Sequence, residues 1–136
     1  MGDAPVQRRV RVAAAVVWDG DRLLLTQRPP GGPVGLQWEF PGGKLEPGES
    51  PEHAIVREVR EELGVEATPH EILAVDSHDY PQGPNVEVSF IRCTLDSHAF
   101  APSGAVHALR WLEPRLIDVA EVLAGDRDFL RRLGAP

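Results

Sequence analysis

Residues 50–64, SPEHAIVREVREELG, leave the chain little choice of local structure. Ser50 offers an oxygen to the first free amides of a helix, Pro51 suits the first helical turn, and Gly64 suits the stop. Between them Ile55, Val59 and Leu63 recur every four residues and form one apolar stripe. The pattern predicts a helix from about Pro51 to Leu63, fixed to a core along that stripe. Glu58 and Glu62 fall about 100 degrees of helical rotation away from it. Glu58, Glu61 and Glu62 stand at i, i+3 and i+4 and share one face. Three carboxylates so placed repel one another unless a cation sits among them. The plain alternative is a solvated acidic face tempered by Arg57 and Arg60, and a bare E-x-x-E-E would favour it.

The residues before the helix tilt the balance. Gly42-Gly43 allows close backbone approach, and a bend there turns carbonyls toward a cation or amides toward a phosphate. Mg2+ takes hard oxygen ligands and keeps some of its water, which carboxylates plus a loop carbonyl would satisfy. Such a metal polarises a phosphoryl oxygen and acidifies a bound water, and a free carboxylate nearby can take that water's proton. Arg57 is placed to pair with Glu49 or an adjacent carboxylate and hold the loop.

Elsewhere the order of elements is mixed. Residues 9–18 (RVRVAAAVVW) read as a strand and 22–27 (RLLLTQ) as its hairpin partner across Asp19-Gly20-Asp21. Residues 29–35 (PPGGPVG) must be loop, and a short apolar segment, Trp38-Glu39-Phe40, follows. Residues 71–78 and 86–94 read as strands joined through Tyr80-Pro81-Gln82-Gly83-Pro84, and 108–112 as another. The stretch from Leu116 to Leu133 predicts one or two short helices with a break at Gly125. This order predicts an α/β sandwich, not a doubly wound parallel sheet.

Bulk properties narrow the function. The 136 residues suffice for one domain with a real core, and no apolar run approaches the length of a membrane helix. The start, MGDAPVQRRV, lacks the apolar run of an export signal, so a cytoplasmic protein is expected. A formal charge of −7 argues against a nucleic-acid polymer as partner but is compatible with a small phosphorylated ligand carrying its own metal. Cys93, the single cysteine, sits in alternating Phe90-Ile91-Arg92-Cys93-Thr94 and is expected in the core. The chain has no P-loop, no H-E-x-x-H and no paired C-x-x-C, so those nucleotide, zinc-protease and structural-zinc readings fall away.

The stretch from Gly43 to Val65 resembles the Nudix box, G-x5-E-x7-R-E-U-x-E-E-x-G-U, with U aliphatic. Gly43, Glu49, Arg57, Glu58, Val59, Glu61, Glu62, Gly64 and Val65 fill every defined position. The resemblance implies a Nudix fold, an α/β/α sandwich around a mixed β-sheet, as one domain over residues 1–136. It implies metal-dependent hydrolysis of a nucleoside diphosphate linked to another group. Carried onto this chain, Glu58, Glu61 and Glu62 would bind Mg2+, or Mn2+ in its place, helped by the Gly42 carbonyl. Glu58 is alternatively the base. Glu49 and Arg57 would brace the loop and helix.

Gln27-Arg28 and Trp38-Glu39-Phe40-Pro41-Gly42-Gly43-Lys44 resemble the MutT-like branch, which cuts nucleoside triphosphates to monophosphate and pyrophosphate. On that resemblance Arg28 would sit near the phosphates, with Lys44 in the same motif. Phe40 would either pack on a base or fill the core, and Glu39 would contact a ligand or base. Asp126 would read the nucleobase edge, cap the last helix, or do both. Two departures stand out. Ala105 occupies a position where the branch often carries a metal-binding Glu. Arg9 and Arg11 alternate on the first strand, with Arg11 a candidate for the base pocket, where selectivity for oxidised guanine goes with apolar residues. The alternatives to a triphosphate substrate are another nucleoside diphosphate derivative, such as a sugar or dinucleotide, and a weakly catalytic nucleotide-binding module. A monomer and a homodimer are both compatible with the sequence.

Overall fold

The computed structural model describes residues 9–81 and 83–136. The expectation about the leader at residues 1–8, and the part of the 80–84 connection at Gln82, lie outside the described residues.

Strand β1 (Val10–Val16) is the axis of the molecule. It pairs in parallel with β7 (Asn85–Leu95) and antiparallel with β5 (Gly42–Lys44). Strand β6 (Ala67–Asp79) completes a mixed sheet in the order β5-β1-β7-β6. Its neighbour is an antiparallel sheet in which β3 (Arg22–Gln27) pairs with β2 (Trp18–Asp19), β4 (Trp38–Glu39) and β8 (Ala108–Leu112). Successive residues of β1 feed opposite cores. Ala13, Ala15 and Val17 pack with Ala54, Ile55, Val59 and Leu63 of helix α1 (Pro51–Leu63). Ala14 and Val16 pack with Phe129 and Leu130 of helix α2 (Ala124–Arg132). A sheet covered by helices on both faces needs apolar residues on both sides of its inner strand, which accounts for the run VAAAV. This is the α/β/α sandwich expected, with a second small sheet added to the mixed one.

Helix α1 has the predicted bounds. Ser50 Oγ accepts the His53 amide at 3.1 Å. Gly64 closes the helix at φ 70°, and its amide returns to the Arg60 carbonyl. Three expectations need correction. Residues 9–18 do not form one strand hairpinned to 22–27. β1 stops at Val16, and only Trp18–Asp19 turn back onto Arg22 and Leu23. Both edges of β1 are already occupied by β5 and β7, so β3 has no edge to join and starts the second sheet. Strand β6 begins at Ala67 rather than 71, because register shifts between Pro69 and Ile72 and between Ile72 and Ala74 hide its alternation. Gly125 does not break the last helix. It lies in the first turn of α2, where a glycine costs little backbone order, and short 3-10 turns at Pro114–Leu116 and Val119–Glu121 precede it.

Cys93 is buried, and burial pushes its thiol up to about 12, so it is a core residue as expected. Among the described residues no helix is long and apolar enough to cross a membrane.

Candidate active site

Where β5 meets α1, the chain must pass very close to the helix. A Cβ on Gly43 would lie 2.5 Å from the Glu58 carboxyl carbon, and one on Gly42 would lie 2.0 Å from the Ala13 carbonyl oxygen. Only a glycine at 42 lets the strand lie against β1, while a Cβ at 43 would push the Glu58 carboxyl aside. The contact opens a cavity of about 550 Å³. Glu58, Glu62, Gly42 and Gly43 line one wall. Arg28, Glu39, the Phe40 segment and Asp126 line the other.

Arg57 organises the rim. Its Nε and Nη2 donate to the two carboxylate oxygens of Glu49, each at 2.8 Å. Its Nη1 donates to Glu58 at 2.9 Å and to Glu61 at 3.3 Å, and Nη2 also reaches the Lys44 carbonyl at 3.0 Å. A bidentate guanidinium–carboxylate pair joins the loop to the helix. The hydrogen bonds from Arg57 and the Glu46 amide hold Glu49 down at about 2. The same partnership raises the Arg57 pKa.

The interior behaves in the opposite way. Burial first, then the charges of Glu39 and Glu58, push Glu62 up to about 8 against a favourable hydrogen bond from the Gly42 backbone. Burial raises Glu39, and Arg28, whose Nη1 donates to its Oε2 at 2.9 Å, offsets this only in part. Burial, with the charge of Glu39, pushes Asp126 up to about 7, although its Oδ2 accepts the Phe40 amide at 3.1 Å. The cleft therefore holds an excess of buried carboxylate charge, the condition a hard cation relieves.

The described side chains meet that condition in part. Glu58 and Glu62 face each other in the cavity, but Glu61 is 58% exposed and turned onto Arg57. Among the described residues no three His, Cys, Asp or Glu side chains stand together in a group that could hold a metal ion. The expected trio is thus a pair in the cleft with the third carboxylate at its rim. All-oxygen donors beside an exposed acidic neighbour fit Mg2+ or Mn2+ in kind.

Three further expectations are corrected. Arg11 does not face the cleft. It lies on the α1 side of β1, more than half exposed, with Nε 3.3 Å from Glu87. Its neighbour Val12 lines the cavity instead, because alternate residues of a strand point to opposite faces. Phe40 does not offer its ring to a base. The ring is 2% exposed and meets Phe90 and Phe129 edge-on at 5.6 and 5.8 Å, so only its backbone serves the site. Asp126 is also not a helix cap, since Leu123 holds that place and Asp126 lies inside the first turn.

A model of the family described as NUDIX domain matches residues 7–133. The chain belongs to the NUDIX domain family. It is 37% identical over 107 residues to a CTP pyrophosphohydrolase of Escherichia coli (strain K12), covering 79% of this chain and 78% of that protein. It is 38% identical over 89 residues to an 8-oxo-dGTP diphosphatase of Proteus vulgaris, covering 65% of this chain and 79% of that protein. Its fold matches the crystal structure of a MutT protein from Methanosarcina mazei Go1 with a TM-score of 0.82 at 21% identity, over 96% of both chains.

Within this Nudix domain the box spans β5, the loop to α1, and α1 itself. Ala105 lines the cavity with Glu58 and Glu62, so the departure from the MutT-like pattern lies in the cleft itself. The cavity also recruits Thr26 and Val12, which carry no motif, and Gln27, which the MutT-like resemblance named beside Arg28 without a role. Alternation along Val10–Val16 would have identified Val12, with Arg9 and Arg11 falling on the other face. Nothing local to Thr26 marks it, and Gln27 is marked only by its place in the Gln27-Arg28 motif. They reach the site because β3 pairs Thr26 with Glu39 and Gln27 with Trp38.

Proposed function

We propose that this Nudix pyrophosphohydrolase acts on nucleoside triphosphates, canonical or base-modified, and releases nucleoside monophosphate and pyrophosphate. The observation that carries this reading is the two-sided cleft. Carboxylates of α1 stand on one wall, and Arg28, Glu39, the Phe40 amide and Asp126 stand on the other. Glu58 and Glu62, with Glu61 and the Gly42 carbonyl, would hold Mg2+, for which Mn2+ is the natural substitute. When bound, the metal supplies charge neutralisation at the phosphoryl oxygens and a more acidic water. Arg28 and Lys44 bring the positive charge that a triphosphate tail requires. Glu39 fixes Arg28 by a charge-assisted hydrogen bond. Arg57 keeps Glu58 in place from the rim. Asp126, anchored by the Phe40 amide on one oxygen, presents an acceptor, or a donor when protonated, to the edge of a base.

The apolar Val12 facing the cleft removes the arginine-based argument against oxidised guanine. Its relatives in Proteus vulgaris and Escherichia coli act, by their names, on an oxidised purine and on a cytosine nucleotide. Both bases therefore belong in the test. The same reading places the protein in the cytoplasm as a single domain over residues 1–136, active as a monomer or homodimer, with a role in clearing unwanted nucleotides.

The test is release of pyrophosphate, detected with a coupled pyrophosphatase, over 8-oxo-dGTP, dCTP, CTP and a modified pyrimidine triphosphate. Turnover of at least one with Mg2+, abolished by a chelator, is expected. A folded protein that turns over none of them would sink the reading. Ala105 supports one rival, a nucleotide-binding module with weak catalysis. Tight nucleotide binding by calorimetry without turnover would select it.

A further inference from the structure

Helix α2 starts without a cap of its own. Leu123 occupies the capping position, and a leucine side chain accepts no hydrogen bond. The amide of Gly125 is served from 45 residues away, by the Tyr80 hydroxyl at 3.0 Å. The next residue, Asp126, carries the carboxyl that receives the Phe40 amide. Two consecutive residues of one helical turn are thus tied to two different segments. One follows β6 and the other follows β4. A third tie joins the Leu123 amide to the Trp38 carbonyl at 2.8 Å.

The packing around Gly125 is matched to this contact. A Cβ there would lie 3.1 Å from the Tyr80 hydroxyl oxygen and 3.7 Å from His78 Cβ. His78 meets the Tyr80 ring edge-on, with centroids 4.4 Å apart, and limits its tilt. The hydroxyl thus bonds the residue next to Asp126, whose side chain lines the cleft.

We propose that Tyr80 is a positioning residue for base discrimination: its hydroxyl, by accepting the Gly125 amide, sets how far the Asp126 carboxyl reaches into the cleft. This rests on the reading of the protein as a nucleotide hydrolase and adds to it a residue that touches neither phosphate nor metal site. The contact acts on the first turn of α2, far from Glu58 and Glu62 in the chain. Because it bears on Asp126, read here as the base contact and not as a metal ligand, it governs substrate affinity and choice of base, not the chemical step.

Tyr80→Phe removes one oxygen and keeps the ring. Its kcat and KM are measured on the best nucleotide of the panel and on one with a different base, alongside Asp126→Asn and the double variant. Loss of one hydrogen bond predicts a KM about 3–10-fold higher for the preferred nucleotide, with kcat within about twofold. The preference between the two bases falls by a similar factor. In the Asp126→Asn background the same change shifts the preference by less than about twofold, because the two residues act as one unit. A merely structural tyrosine would give the same shift in both backgrounds, and that result overturns the proposal. So does an unchanged KM ratio in folded Tyr80→Phe, or a loss confined to kcat. If Tyr80→Phe does not fold, Gly125→Ala, whose Cβ crowds the hydroxyl, must reproduce the KM-side loss. Failure of both variants to fold assigns Tyr80 to stability alone and also overturns it. A wild type inactive on every nucleotide fails the broader reading and this one with it. An active wild type with an unaltered Tyr80→Phe fails only this one.

Discussion

Two sets of carboxylates sit a few ångströms apart in this protein and behave in opposite ways. At the rim, Glu49 is held down at about 2 by Arg57. In the cleft, Glu62 is pushed up to about 8 and Asp126 to about 7, with burial the first cause in each. The rim set finds its countercharge in Arg57. The cleft set leaves its charge for something else to satisfy. Residue type does not separate them, since all are carboxylates. The distinguishing feature is burial, which even the Arg28 guanidinium against Glu39 offsets only in part.

That contrast is open to experiment. The largest expected effect is in the cleft. Glu62→Gln should lower turnover at least about a hundredfold through loss of a metal ligand. A near-wild-type rate would show that this carboxylate serves no cation. Gly43→Ala should follow. Its Cβ would lie 2.5 Å from the Glu58 carboxyl carbon, displacing the end of a flexible side chain while sparing the backbone. Circular dichroism should be unchanged, and the rate should fall by about a hundredfold from misplacement alone. At the rim, Arg57→Ala should cost about 10–100-fold, typical of residues that orient a metal ligand. It should also lower the melting temperature, because Glu46, Glu49, Glu58 and Glu61 would repel one another unopposed. A variant stable but slow would mean that Arg57 orients without bracing.

The smallest effect concerns Asp126. Its folded pKa lies above the ordinary aspartate value, so the folded state holds the proton more tightly than the unfolded one. The stability this contributes is complete below the unfolded pKa near 3.8 and is lost as pH rises toward about 7. The slope is at most about 1.4 kcal/mol per pH unit. Asp126→Asn cannot ionise. Denaturant titrations from pH 4 to 7 should therefore show a shallower decline in the variant than in the wild type. Parallel curves would place the carboxyl in contact with solvent, more like the rim than the cleft.

Legibility in the sequence follows the same divide. The bounds of α1, its apolar stripe and the Arg57–Glu49 partnership were readable because their residues lie within one loop and helix. The trio of glutamates was readable as a face but not as an arrangement. Helical spacing brings Glu58, Glu61 and Glu62 together, whereas the competition of Arg57 for Glu61 depends on the path of the loop. Arg11 was misplaced for want of one bit of information, which face of β1 meets the cleft. Phe40 was ambiguous because an aromatic after a short strand serves a core or a ligand equally well until Phe90 and Phe129 are brought against it. Tyr80 carried no signal, since its partner lies 45 residues away.

By itself, then, the sequence determined the helix, the glycine approach to it and the family to which the chain belongs, because each depends on spacings within a single segment. Only the tertiary structure decided the opposite wall. It joins residues near 27, 39, 80 and 126 through strand pairing and a helix start, and no local spacing encodes which distant edge a strand will find. Burial is likewise a property of the assembled chain, so the division between satisfied and unsatisfied carboxylates appears only when the two walls close.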